Sequence, residues 1–165
     1  VQGGALAAEE LATLLKGKGK IIIIDHPTVA SVQDRVRGFE EGLKKYPGIT
    51  IVGKPSADGQ RAKATQVMED MLQAHRDLAG VFGINDDSAL AAASVIDAAG
   101  RKDIVVIGFD ASAEAQTAIK KGGPLKADIV QYPRTIGKTT IDIIAKFLAG
   151  EPVPALVPTE VGIWK

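Results

Sequence analysis

The sequence predicts an α/β fold: an open, mainly parallel sheet of five to six strands with helices on both faces, a flavodoxin-like or Rossmann-like layer. Three observations lead there. Short β-branched runs alternate with amphipathic segments along the chain, the rhythm of repeated βα units. Ile21-Ile22-Ile23-Ile24 is apolar without a break, as expected of a strand covered on both faces. Polar residues gather where successive apolar runs end, at Asp25-His26, Ser56-Ala57-Asp58, Asn85-Asp86-Asp87, Asp110 and Gln131. In an open parallel sheet, the edge beyond the carboxyl ends of the strands is where ligands bind.

The elements follow in order. Gly4 to Leu15 reads as a helix, and Gly17-Lys18-Gly19-Lys20 as a plain loop before the first strand, Ile21 to Ile24. From about Ser31 to Tyr46, Val32, Val36, Phe39 and Leu43 recur at helical spacing. Ile49 to Val52 is the second strand. Gln60 to Ala74 is the next helix, with Ala64, Val67, Met68, Met71 and Leu72 on its inner stripe. Leu78 to Ile84 is the third strand, and Ser88 to Ala99 the helix after it, stopped by Gly100. Ile104 to Phe109 forms the fourth strand, Ala113 to Lys121 a short helix ended by Gly122-Gly123-Pro124, and Ala127 to Val130 the fifth strand. Thr135 to Leu148 is a last helix, followed by a Pro-rich connection and an extended run from Val157 to Trp164.

A chain of 165 residues fits one domain with a real core. Lys+Arg and Asp+Glu balance at 20 each, so no net field favours nucleic acid or an anionic membrane. The absence of cysteine excludes disulfides, thiolate catalysis and cysteine metal sites. The chain shows no signal-peptide pattern and begins as if cut from something longer. His26 and His75, the only histidines, lack metal-ligand spacing. Neither has a nucleophilic Ser or Asp partner in view.

Two motifs imitate chemistry. Gly137-Lys138-Thr139 resembles the end of a phosphate loop, but Tyr132 stands where that motif needs glycine, and the stretch falls inside a helical pattern. A phospho-receiver domain would need a lysine after the fifth strand, where Gln131-Tyr132-Pro133 stands. With no nucleophile, base pair or phosphate loop, the sequence points to a non-enzymatic binding domain without a cofactor. Structural roles also compete at the edge. Asp86 or Asp87 reads as the N-cap of the following helix, and Asp110 could cap the next one. Arg35 would ordinarily be a solvated charge. Asn85, the only asparagine, must place both halves of its amide at the end of a buried strand.

Arg35-Val36-Arg37-Gly38-Phe39, Val81-Phe82-Gly83-Ile84-Asn85-Asp86, Ile107-Gly108-Phe109-Asp110 and Ile129-Val130-Gln131-Tyr132-Pro133, with Gln66 to His75 and Leu148-Ala149-Gly150-Glu151, together carry a resemblance. In this order and spacing the chain resembles the sugar-binding periplasmic proteins of the ribose-binding type, soluble receptors of sugar ABC transporters. The resemblance runs from Val1 to the end and matches their C-terminal lobe. It implies that Arg35, Asn85, Asp110 and Gln131 bind a monosaccharide or related polyol. Asp58, Gly59 and His26 stand as further ligand-side candidates. Guanidinium, amide and carboxylate groups suit this ligand because each can grip neighbouring hydroxyls.

The resemblance also implies a periplasmic or extracellular location and a membrane permease as partner. Relatives place an aromatic ring near Gly59 to cover the sugar's apolar face. Here either the ligand is bulkier than a pentose or the ring comes from elsewhere. Residues 1–165 make one lobe, the N-terminal lobe is absent, and segment 133–154 would cross the hinge to it. The apolar stripe Ile136, Ile141, Ile144, Ala145 and Leu148 is then expected to be covered, by folding back on this lobe's sheet or by a second chain in a homodimer or swap. Binding by one lobe alone should be weak. The alternative is the effector-binding core of a lactose-repressor-type regulator, which shares the fold; its DNA-binding helix-turn-helix is not in the chain.

Overall fold

The computed structural model describes residues 1–165. The elements are α1 (Gln2–Leu14), β1 (Lys18–Ile24), α2 (Ala30–Leu43), β2 (Gly48–Gly53), α3 (Arg61–Ala74) and β3 (Leu78–Gly83). They continue as α4 (Asp86–Ala98), β4 (Val105–Asp110), α5 (Ala113–Lys120), β5 (Leu125–Gln131), α6 (Pro133–Leu148) and β6 (Val161–Trp164). One sheet holds all the strands in the order β2-β1-β3-β4-β5-β6. Strands β1 to β5 are parallel, and β6 pairs antiparallel with β5. The chain winds outward from β1 to β2, then returns past β1 to β3. The order therefore reverses between β1 and β3, where open α/β sheets form a crevice.

Alternation along the strands divides the core. Ile21 and Ile23 join Phe82, Ile84, Ile107, Phe109 and Ile129 beneath α1 and α2. Ile22 and Ile24 join Val81, Val106 and Leu125 beneath α3, α4 and α5. All four isoleucines are fully buried, which is why that run tolerates no polar residue. Phe39 of α2 stacks on Phe82 of β3 with ring centroids 4.3 Å apart and planes 7° apart, fastening the helix to the middle of the sheet.

Most element ends shift by one to four residues from the sequence reading, and three of these shifts have a clear physical reason. The strand β1 takes in Lys18-Gly19-Lys20, because these residues pair with Gly48, Ile49 and Thr50 of β2. The loop shrinks to a turn in which Lys16 and Gly17 have φ of 53° and 74°. α2 stops at Leu43, short of Tyr46, since a residue preceding a proline disfavours helical geometry. α4 begins at Asp86 rather than Ser88, which changes the identity of its cap.

α6 leaves the body of the domain. None of its residues is buried, and Ile141, Ile144, Phe147 and Leu148 are 65%, 47%, 67% and 79% exposed. The expected fold-back onto this sheet does not occur. β6 occupies the edge of β5, from Gln131↔Val161 to Asp128↔Trp164, and the two faces already carry α1 to α5. The run around Val157 and Thr159 comes beside the helix, at Ile136, Thr139, Thr140, Ile143 and Ile144. No helix is long and apolar enough to cross a membrane.

Candidate functional site

Arg35 projects from the second turn of α2 toward the strand exits. Its guanidinium lies over the Phe109 ring, 3.5 Å from the centroid, and Nη1 donates to the Ile84 carbonyl. The ring shields one side of the cation while leaving its edge free to donate. Burial draws the guanidinium below its ordinary pKa, opposed by the negative charges of Asp110 and Asp128. Its Nε is buried without a partner, an orphan donor of the sort that calls for an acceptor.

Asn85 ends the crevice between β1 and β3. It is the N-cap of α4: Oδ1 accepts from the Ser88 N–H at 3.0 Å. Nδ2 donates to the Gly59 carbonyl, also at 3.0 Å. The cap expected of Asp86 or Asp87 thus belongs to Asn85, because the helix starts two residues earlier than the apolar periodicity indicates. Asp86 instead accepts from the Ser112 N–H at 2.7 Å, and Asp87 pairs with Arg61 at 2.9 Å. An amide has two donor hydrogens, so Asn85 keeps one N–H for another partner.

Asp110 closes β4 with φ 121°, and Ala111 follows with φ 53°. Both are sparsely populated conformations for residues with a Cβ. Asp110 does not cap α5; Ser112 does, accepting from the Ala115 N–H at 3.3 Å. The Asp110 carboxylate accepts from Gln131 Nε2 at 2.5 Å. Burial raises its pKa, the Gln131 hydrogen bond and the Arg35 charge pull it back, and the Asp86 charge raises it again.

Arg35, Asp110 and Gln131 thus form one half-buried polar cluster, joined to Asn85 through the Ile84 carbonyl. Gly59 and His26 stand beside Asn85. A Cβ added to Gly59, whose φ is +65°, would lie 3.2 Å from Asn85 Nδ2 and 3.4 Å from His26 Nδ1. The backbone here suits glycine, and His26 borders the space above it. Asp58 is not part of the cluster. It is exposed, binds Lys63 at 2.6 Å and Ser56 at 2.9 Å, and these partners hold its carboxyl below the usual carboxylate range.

Sequence reasoning missed Phe109, Asp86 and Asp128. Phe109 reads as an ordinary core residue at a strand end. Asp128 lies inside β5, fully buried, and accepts from the Ala111 N–H through Oδ1 at 3.0 Å. A lone carboxylate within an apolar strand, Ala127-Asp128-Ile129, was the available signal. No three His, Asp or Glu side chains converge as metal ligands. A groove of about 620 Å³ beside α4 and α5 shares none of the clustered side chains.

Comparison with known proteins places these features. The family described as "Periplasmic binding protein domain" matches residues 1–152. The chain is 32% identical over 161 residues to the ribose import binding protein of Salmonella typhimurium, covering 97% of this chain and 54% of that protein. It is 36% identical over 133 residues to the D-apiose import binding protein of Actinobacillus succinogenes, covering 79% and 42%. The structure of GanP, a glucose-galactose binding protein from Geobacillus stearothermophilus, superposes with a TM-score of 0.94 at 31% identity, covering 99% of this chain and 59% of that one. The chain spans about half the length of the curated relatives it matches. These likenesses support the transporter reading and give none to the repressor core. With an α/β lobe whose polar residues converge at the carboxyl edge of the sheet, the chain belongs to the periplasmic binding protein domain family.

Proposed function

We propose that this domain is one lobe of a sugar ABC transporter receptor and holds a monosaccharide or related polyol at the rim formed by Arg35, Asn85, Asp110 and Gln131. The observation that carries this reading is the clustering of a cation, a carboxylate and an amide around one strand edge, each with hydrogen-bonding capacity left over. Arg35 donates, Asp110 accepts, and Asn85 and Gln131 supply both, the mixture that neighbouring hydroxyls require. The relatives' names concern a pentose, a branched pentose and hexoses, which fits a shared grip on hydroxyls with the individual sugar chosen elsewhere. The role is binding, not catalysis. In a complete receptor the domain would close against a second lobe around the sugar and present the closed form to a membrane permease on the periplasmic side.

The test is titration of the purified chain with D-ribose, D-apiose, D-glucose and D-galactose, followed by NMR. Saturable shifts at Asn85, Asp110 and Gln131 are expected for at least one sugar. Shifts confined to other surfaces, or none with any sugar, overturn the reading.

A further inference from the structure

Behind the rim, Asp86 of α4 and Asp128 of β5 reach the same short turn. Asp128 Oδ1 accepts from the Ala111 N–H at 3.0 Å, and Asp86 Oδ2 accepts from the next amide, Ser112, at 2.7 Å. The remaining oxygens, Asp86 Oδ1 and Asp128 Oδ2, are both buried without a hydrogen-bond partner, and because their sister oxygens bind adjacent amides, the two carboxyls crowd the same stretch of backbone. Two ionised carboxylates cannot share such a space at low cost, whereas one proton between them satisfies both oxygens. A Cβ at Gly108 would collide with the Asp128 carboxyl, so β4 makes room for the pair by carrying glycine there.

What the pair grips is the strained segment. Asp110 and Ala111 both hold left-handed φ values, 121° and 53°, conformations that persist only when the surroundings fix them. The turn is also held by Gln116 Nε2, which donates to the Ala111 carbonyl at 2.8 Å. If the turn relaxed toward ordinary φ, the Asp110 carboxyl would swing away from Arg35 and Gln131.

We propose that Asp86 and Asp128 act as a single proton-sharing pair that holds the Asp110–Ser112 turn in its strained form and so aims the Asp110 carboxylate at the sugar. This rests on the reading that Asp110 contacts the sugar. Asp86 and Asp128 are positioning residues and touch no ligand themselves. The charged groups around Asp128 are Asp86 on α4, Asp110 at the end of β4 and Arg35 on α2; its antiparallel neighbour on β6, Trp164, carries no charge. Desolvation, then the hydrogen bond and charge of Asp86, push the Asp128 carboxyl up to about 9, while the Ala111 N–H pulls it down. Above that pH the pair holds two negative charges and separates.

The experiment follows the aspartate carboxyl carbons by NMR and, in the same samples, the affinity for the tightest-binding of the four sugars above, from about pH 6 to about pH 10. Expected are a carboxyl titration near 9 and an affinity that falls about tenfold through the same step. Asp128→Ala should lose about tenfold at neutral pH and show no further step. Asp128→Asn keeps an acceptor for Ala111 and a donor for Asp86, so it should recover most of that loss with a flat alkaline profile. Two results would overturn the proposal: an Asp128 carboxyl already ionised at neutral pH, or an Asp128→Asn variant no better than Asp128→Ala while both stay folded by circular dichroism. Failure of the underlying reading looks different. In that case no sugar binds the wild-type chain, yet the carboxyl titration near 9 is still observed.

Discussion

Arg35 is held by a stacking ring and a backbone carbonyl, and this arrangement makes its replacement informative. Lysine keeps the charge but not the planar fork, so it cannot lie over Phe109 and also donate to the Ile84 carbonyl and a hydroxyl. Arg35→Lys should weaken sugar binding about 10- to 100-fold, the loss of one charge-assisted hydrogen bond of about 1.5–3 kcal/mol, measured by NMR titration. Asp128 makes a separate prediction for stability. Its carboxyl has an ordinary value of 3.8 and is raised to about 9 in the folded chain. The folded state therefore binds the extra proton between those limits, and the contribution present below 3.8 is lost as pH rises through about 9. Urea midpoints should show wild-type stability declining relative to Asp128→Asn across that window and running parallel above it. The rim positions of Asp110 and Gln131 were legible because they are polar residues at strand exits, whereas Arg35, in the second turn of α2, stood out only through the resemblance. Asp128 was not, because a period of two places it opposite Ile129 without saying what fills that face. Asn85 was half legible: its need for two partners was clear, but the cap went to Asp86 or Asp87 because Ala-rich periodicity hides where α4 begins.

At the scale of elements, two contrasts matter. The strands followed from short apolar runs covered on both faces and α1 to α5 from helical spacing, since each has a place in one of the two core layers. Phe82 sits where these faces meet, stacked on Phe39 and fully buried. Phe82→Ala should cost about 3–5 kcal/mol by chemical denaturation, because the surrounding sheet collapses only partly into the space left. α6 is the opposite case. Its stripe was plain in the sequence, but a stripe shows only that something must cover it, and the sheet of this chain does not. We propose that a second body covers it, a second copy of the chain where nothing else is available. Sedimentation velocity should then show self-association that rises with concentration and disappears in Phe147→Asp, whose cost to stability stays within about 0.5 kcal/mol at so exposed a position. A wild-type chain that stays monomeric at every concentration refutes it.

For the whole molecule, the affinity depends on how much of a sugar one rim can hold. At the proposed site a ligand would meet Arg35, Asn85, Asp110 and Gln131 on one side and water on the other. A receptor that encloses the sugar between two such edges with micromolar affinity gains about 8.2 kcal/mol, and half of that, about 4.1 kcal/mol, corresponds to millimolar binding. Division by two is generous to the single rim, because the translational and rotational freedom lost by the sugar is not halved. Exposure also lets water compete for every hydroxyl, so each hydrogen bond contributes less than it would in a closed site. The chain should therefore bind its sugar with a dissociation constant of about 1 mM or weaker. A covalently joined second lobe should tighten this by orders of magnitude, since closure would then desolvate the same four side chains. Calorimetry or NMR titration of the monomer decides the matter: submicromolar binding would mean that this domain alone encloses its ligand, which an open polar edge cannot do.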